Sequence, residues 1–446
     1  MGVIIIRIMY SRVSRLEQDR ELNVTNKIAQ PSGKFGEITG EEFNVSEIEY
    51  GMPIRSAYSG KKLQMNIDKS KKEGSREPEN LMGRNYSMVA GAPDEKVIPE
   101  LYGLDAGSFL SSYINKFSVN FFTFLKNQLD ERFCVSPYGI FNVFGVLYVA
   151  SKGESEREIY DFFSMISKEN VLEGLGHIRQ YMAAIQMKNL IAINKDLGIN
   201  KKFVKEINRI VDVYPVDVNS AESTAGDINV FVDKFSSGMV LPISMGVMER
   251  AQVLCINLGV FKPIWKFKFD KIIDSKFIGG AINKVKMLVG LGGWHEYCED
   301  SLNQIVELRC LGDVMSMGII LSKELVIPEI DGDEMNSLLK NLKRTLIEEV
   351  RIPVFTQQVK MKLTNVLFQS GLKGVFNRLE IPELVGGVAS VSDVVQNITV
   401  VVANGSGKGG GKNAGGSNIR FIADHPFIYY FRLIATNTII LMGYYV

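Results

Sequence analysis

The stretch "SPYGIFNVFGVLYVASKG", residues 136–153, carries no charged side chain before Lys152. Ser136 is suited to capping the free N–H groups of a helix start, Pro137 fits the first turn, and Gly153 is a plausible stop. A helix that is apolar nearly all round belongs at the centre of a fold, not on its surface. The rest of the chain must therefore wrap it. Before it, "SYINKFSVNFFTFLKNQL" repeats Phe117, Phe121 and Leu125 at helical spacing, and after it "ESEREIYDFFSMI" reads as an amphipathic helix. From about Gln252 the pattern turns to strands: "AQVLCINLGVF", "NQIVELRCLG", "VMSMGIILS", "EEVRIPVF", "NITVVVA", "IRFIAD", "FIYYFRLI" and "TIILMGYYV". Helices are expected between them at "DEMNSLLKNLKRTL" and "VKMKLTNVLFQSGL". Early helices followed by many strands predict an α+β fold with more than one sheet. With 446 residues and 46% hydrophobic content the chain can bury a large core, in one big domain or two to three ordinary ones.

The first hundred or so residues differ. "EQDRELNVTNKIAQPSGKFGEITGEE" and "DKSKKEGSREPENLMGRN" mix both charge signs with Gly, Pro, Ser and Asn, and their apolar residues are sparse and aperiodic. Residues 1–107 read as a low-complexity, largely disordered extension with a short ordered piece near "FNVSEIEYGM", and residues 108–446 as the folded domain.

Several function classes are excluded early. A net charge of +1 gives no broad electrostatic footprint for nucleic acid. The four cysteines (Cys134, Cys255, Cys298, Cys310) form neither a zinc pattern nor a disulfide framework, so buried free thiols and, weakly, a reducing compartment are expected. Three histidines (His177, His295, His425) leave little room for imidazole catalysis or a metal site. Neither a metal nor a cofactor is expected. Asp424 and His425 are neighbours whose side chains would point oppositely on a strand, which argues against a Ser-His-Asp arrangement. "GVIII" is cut by Arg7, too short for a signal-peptide core, and no run approaches a membrane span. Cytoplasmic localisation and a monomer are expected.

"TVVVANGSGKGGGKNAGGSN", residues 399–418, has the outline of a phosphate cradle. Such a loop needs Gly, four residues, then Gly-Lys-Ser/Thr, opening a helix that faces the anion. Counting back from Gly411-Lys412 puts Ser406 in place of the first glycine, Asn413 replaces the magnesium hydroxyl, and "IRFIADHPFIYYF" reads as strand. A nucleotide-binding enzyme is thereby disfavoured. The composition is that of a flexible, solvated loop.

Five stretches carry a family likeness. They are "SPYGIFNVFGVLYVASKGESEREI", "DINVFVDKFSSGMV", "CINLGVFKPIWKFKFD", "EEVRIPVFTQQVKMKLTNVLFQSGLKGVFN" and "FIADHPFIYYFRLIATNTIILMG". In order, from Ser108 to Val446, they resemble the serpins, the serine protease inhibitor family; in the third, Asn257, Phe261, Lys262, Trp265 and Phe269 match the family pattern in register. In the second, Ser236, Ser237, Gly238 and Met239 stand in place of Thr-Asn-Gly-Lys. The resemblance implies about eight or nine helices around three β-sheets and a reactive-centre loop just before "IRFIADHPF", where the glycine-rich stretch sits. In an inhibitory member a protease cleaves that loop, and its N-terminal half inserts as a new strand into the central sheet.

Aligned on the family hinge, Ala403 falls where a glutamate is usual, followed by Asn404, Gly405 in the place of Gly, and Ser406 in that of Thr or Ser. Inhibitors then carry small residues, mainly alanine, whereas this chain has Gly407, Lys408, Gly409, Gly410, Gly411 and Lys412. A glycine-rich inserted strand is weak, because glycine loses most backbone entropy and packs nothing. If Ser406 points inward on insertion, Lys408, Gly410 and Lys412 share its face, and a buried unpaired charge is costly. The loop is also a few residues shorter than the family's usual bait. Gly139 and Val395 replace a serine and the histidine of the polar cluster that regulates sheet opening, while Ser136 and Asn257 remain. Trp265 reads as a core aromatic under the sheet top.

The reading that follows is a non-enzymatic, non-inhibitory serpin-like protein, acting by binding or scaffolding through the loop and the extension. Its partner is a protein, a protease among the candidates. The alternative is an intracellular-type inhibitor of serine or cysteine proteases, with its scissile bond near Ser417 to Arg420.

Overall fold

The apolar helix lies in the middle of the molecule. In the computed structural model, which describes residues 23–25, 42–44, 105–129, 132–279, 284–405 and 417–446, it spans Pro137–Ala150. The expected disordered extension of residues 1–107 lies outside the described residues except at 23–25, 42–44 and 105–107, and so do Ser406, Gly407, Lys408 and Lys412 of the loop.

In chain order the elements are as follows. A two-stranded ribbon pairs β1 (Asn23–Thr25) with β2 (Glu42–Asn44). Then come α1 (Ala106–Lys126), β3 (Cys134–Val135), α2 (Pro137–Ala150), α3 (Gly153–Phe163), α4 (Lys168–Tyr181), β4 (Gln186–Asn194), α5 (Lys201–Ile207), β5 (Asp212–Val216) and α6 (Ala221–Ser236). The β-rich part holds β6 (Val253–Phe261), β7 (Lys271–Lys276), β8 (Lys284–Glu299), β9 (Asn303–Arg309) and β10 (Met315–Ser322). After α7 (Gly332–Asn341) follow β11 (Lys343–Pro353), β12 (Phe355–Lys362), α8 (Thr364–Gln369), β13 (Leu379–Glu380), β14 (Val388–Ala389) and β15 (Val391–Val402). The chain ends with β16 (Arg420–Ile422), β17 (Phe427–Leu433) and β18 (Thr438–Tyr445).

The central sheet has five strands in the order β12-β15-β6-β4-β5. Its neighbours β15 and β6 run parallel, Val395 opposite Ile256 and Gln396 opposite Asn257. Both faces of this pair are covered. Val253, Cys255 and Phe261 of β6, with Val394, Ile398 and Val400 of β15, join the main core around α2. Leu254, Ile256, Leu258 and Val260, with Val395, pack under Ala225, Ile228 and Val232 of α6. Strands buried on both faces read as continuous apolar runs, which is why "AQVLCINLGVF" and "NITVVVA" stood out. The second, nine-stranded sheet runs β16-β11-β8-β9-β10-β17-β18-β3, with β7 also on β8. Strand β8 spans two leaves, being flanked by β7 at Lys284–Val289 and by β9 at Glu296–Glu299. Counted by leaf, the two large sheets make up the expected three, beside the two-stranded ribbons β1–β2 and β13–β14, and the described residues hold eight α-helices where about eight or nine were expected.

Ser136 caps α2 as expected, accepting a hydrogen bond from the Gly139 N–H at 3.0 Å. Helix α1 begins at Ala106, two residues before the expected start of order, with the Asp105 side chain capping Ser108 N at 2.9 Å. Its Asn115 reaches the far end of the chain, donating to the Asn437 carbonyl at 2.8 Å and accepting from Ile439 N at 2.8 Å. Two expected helices are shorter than their sequence windows. In "DEMNSLLKNLKRTL" the helix ends at Asn341, and Lys343 onward is drawn into the β11–β8 ladder. In "VKMKLTNVLFQSGL" the first four residues finish β12, whose buried positions alternate strictly against β15; only Thr364–Gln369 is helical. Strands β3, β4, β5, β7, β8, β13 and β14 were not foreseen.

Candidate functional site

The glycine-rich stretch joins the two sheets. It leaves β15 after Val402 and returns in β16, which adds parallel to the edge of β11 with Arg420 opposite Glu349. At the first foot, the indole N–H of Trp265 donates to the Ala403 carbonyl at 2.8 Å. Trp265 is fully buried, edge-on to Phe269 at 5.7 Å between ring centroids. It is the core aromatic the sequence suggested, and it also holds the start of the loop. Gly405 passes so close that an added Cβ would sit 3.3 Å from the Trp265 N. Asn404, between these contacts, is exposed, whereas its neighbours Ala403 and Gly405 are half-buried.

The second foot is fastened several times. The Ser417 hydroxyl donates to the Leu346 carbonyl at 2.7 Å, and Glu348 N donates to the Ile419 carbonyl at 2.8 Å. Glu349 accepts from Arg420 Nε at 2.9 Å and from Arg351 Nε at 2.8 Å. Burial pushes its carboxyl up, but the hydrogen bonds from Arg420 and Arg351 outweigh this and hold it below the usual glutamate range. Arg420 is thus a paired strand residue rather than a free side chain.

Behind the first foot, the middle of the central sheet is locked to α2 by a residue the sequence reading passed over. Gln396 donates to the Ser136 carbonyl at 2.6 Å and accepts from Ser136 N at 3.0 Å. The Ser136 hydroxyl donates to the Ile440 carbonyl at 2.6 Å. Asn257 bonds the side chain of Asn189 on the neighbouring strand. Gly139 is what lets Asn257 lie there: a Cβ on it would stand 2.4 Å from Asn257 Nδ2. Val395 is apolar packing under α6. The signal for Gln396 was a pair of adjacent amides, Gln396 and Asn397, inside the apolar run "DVVQNITVVV"; Asn189 is a further amide next to an apolar run. On the front, the segment after α6 crosses β15 and β12, with Asn397 donating to Leu241 O at 2.6 Å and Gln358 to Met239 O at 2.8 Å.

Catalytic groups are poorly placed. Asp424 and His425 do not point apart, because the chain leaves the strand after Ile422, and His425 Nδ1 lies 3.0 Å from Asp424 Oδ1. His425 Nε2 faces the Ser322 carbonyl at 2.8 Å, so no hydroxyl completes a triad there. Burial, then nearby Arg344, push His295 down to about 4. Burial and Asp393 push the Cys255 thiol well up. All four cysteines are free. Among the described residues no His/Cys/Asp/Glu group is placed to hold a metal ion, and no helix is long and apolar enough to cross a membrane.

Helices around these sheets, with a connection from the central sheet to a strand beginning at Arg420, agree with the fold the resemblance implied. The profile of the family described as Serpin (serine protease inhibitor) matches residues 112–446. The chain belongs to the serpin family. An uncharacterized serpin-like protein of Methanosarcina acetivorans is 25% identical over 282 residues, 59% of this chain and 66% of that protein. Iripin-1 of Ixodes ricinus is 22% identical over 365 residues, 74% of this chain and 92% of the relative. Among solved structures, native protease nexin-1 with heparin superposes with a TM-score of 0.65 at 21% identity, covering 76% of this chain and 97% of that one. A tumour-suppressing serpin superposes with a TM-score of 0.66 at 18% identity, covering 76% and 99%. At these identities the structural likeness speaks for the serpin fold.

Proposed function

We propose that this serpin is a binding or scaffold protein that does not inhibit proteases by loop insertion, and that its loop is a partner-facing element. The observation that carries this reading is the closure of both faces of the β15–β6 pair, by α2 behind and α6 in front. A strand entering between β15 and β6 has one face toward each apolar cluster. Lys408 and Lys412 share a face, so on either side an inserted lysine is directed at apolar packing, and desolvating an unpaired ammonium costs several kcal/mol. Glycines at 407 and 409–411 supply no packing in return. Ala403 offers the sheet top only its carbonyl, already taken by Trp265.

A second reading keeps the family's activity, protease inhibition. It is favoured by the parallel β15–β6 ladder itself. A strand entering antiparallel to both neighbours would replace one slanted parallel ladder by two antiparallel ones, which are slightly more stable per residue. The test is a thermal melt before and after cleavage of the loop, with an assay for SDS-stable complexes on a protease panel. An unchanged melting temperature and no covalent complex are expected. A large rise together with a covalent complex overturns the proposal in favour of inhibition.

A further inference from the structure

A polar crevice of about 300 Å³ opens on the flank of the central sheet, where the ends of α4 and α5 meet β4 and β5. Two of its polar wall residues are buried: Tyr138 of α2 is 1% exposed and Asn189 of β4 is 8% exposed. Each has a donor to spare. The Tyr138 oxygen accepts from Asn142 Nδ2 at 3.4 Å, and its own O–H has no acceptor among the described residues. The Asn189 side-chain oxygen accepts from Asn257 Nδ2, while the Asn189 N–H₂ group has no acceptor among the described residues. Burial pushes the Tyr138 hydroxyl up to about 12, with the Arg179 charge acting against it, so the phenol keeps its proton. Arg179, on the last turn of α4, lines the same crevice, and its guanidinium has no hydrogen-bond or ion-pair partner among the described residues. Lys188 and Asp212, also in the wall, neutralise each other at 2.7 Å.

We propose that this crevice is a binding site for a small oxyanion, a carboxylate or a phosphate group, held by the Arg179 guanidinium, the Tyr138 hydroxyl and the Asn189 amide. Water can satisfy two neutral donors. An unpaired guanidinium beside them selects an acceptor that carries charge, because charge-assisted hydrogen bonds are roughly twice as strong as neutral ones. The helix ends act the other way, since the C-termini of α4 and α5 bring roughly half a negative charge each. Arg179 and Arg209 outweigh them. The Arg209 guanidinium lies against α4, its Cζ 3.3 Å from where a Cβ on Gly176 would be, and among the described residues no carboxylate pairs with it. The site also reaches the sheet. Asn189 holds Asn257 of β6, and Asn257 packs against Gly139, the neighbour of Tyr138. Gly139 N in turn donates to the Ser136 hydroxyl. An anion bridging Tyr138 and Asn189 therefore ties α2 to β4 beside the Gln396–Ser136 lock. The site is independent of the loop and of whether it inserts.

The test titrates the full chain with sodium phosphate and with sodium acetate, against sodium chloride of equal ionic strength, and follows binding heat and amide exchange. At least one of the two oxyanions is expected to saturate, with a dissociation constant on the order of 1 mM for a ligand this small. Saturation by phosphate alone or by acetate alone names the group the site prefers. Exchange at 187–192 of β4 is expected to slow on binding. Arg179→Gln is expected to weaken binding about ten-fold or more, while Lys201→Gln, exposed on α5 and outside the crevice, leaves it unchanged. A melt without anion verifies that both variants fold. The proposal is overturned if neither oxyanion saturates beyond chloride, which leaves the crevice to water. It is overturned equally if the two variants weaken binding alike, which makes the effect one of diffuse surface charge, or if binding leaves exchange at 187–192 unchanged. None of these outcomes depends on the loop-cleavage melt that tests inhibition.

Discussion

The two feet of the loop are built in different chemistry. The first is a single neutral hydrogen bond to a buried indole, placed above a polar lock between β15 and α2. The second is a short strand on an open sheet edge, held by a hydroxyl, a ladder and an arginine–glutamate–arginine clamp. The first foot therefore depends on the core and the second on surface electrostatics.

The comparison breaks most sharply at Trp265. Trp265→Ala removes a fully buried aromatic and should lower unfolding stability by about 3–5 kcal/mol, the range for such truncations. Denaturant unfolding measures it, and hydrogen exchange should quicken at 400–405 before 417–422; a uniform loss would merge the two feet into one unit. Next in size is Gln396→Ala, which leaves the Ser136 N–H buried and unpaired, a cost of about 2 kcal/mol. Spontaneous insertion of an added peptide strand, followed by native gel, should also become faster if this lock holds β15 in place. Trp265→Phe keeps most of the packing and deletes the indole hydrogen bond, for about 1 kcal/mol.

The smallest global effect is expected at the second foot. The Glu349 carboxyl sits below its usual value, so its contribution is whole above about 4.3, the ordinary glutamate value, and fades as pH falls through the lower folded value. Glu349→Gln should reproduce at pH 7 what acid does to the wild type. Exchange at 417–422 should rise in both cases while 400–405 stays unchanged. High salt should weaken the second foot alone, because Arg420 is solvent-exposed.

The sequence declared the central sheet because strands covered on both faces are apolar throughout; β6 and β15 could be read directly. Strand β8 hid because Gly290, Gly292 and Gly293 break its apolar run and it serves two leaves with different neighbours. The β12 error has a similar origin: Phe355, Gln357, Val359 and Met361 alternate inward, but the Gln makes that alternation look polar. The position of the loop was legible from its flanking motifs. Its fastening was not, since Glu349 and Arg420 lie 71 residues apart and only the β11–β16 register brings them together. Gln396 was overlooked for a different reason. It sits next to Val395, where the family pattern directs attention to a missing histidine, and it lies on the opposite face of the strand, bonded to Ser136.

Helix α1 is stitched to the final strand by Asn115 and by Ser111, whose hydroxyl meets that of Thr438 at 2.6 Å. Strands β17 and β18 fill the sheet between β10 and β3, and Arg132 holds the Val446 carbonyl at 2.7 Å. Chain order and spatial order are thus reversed at the centre of the molecule. While the protein is being synthesised, the apolar helix and its sheets must wait without their last two strands, exposing the seats for β17 and β18. Contacts of this sequence separation make folding slow and leave the nascent chain open to strand capture by other chains. The ribosome has to release residues 427–445 before the core can close, so a chain truncated within β17 or β18 is expected to be found aggregated rather than folded.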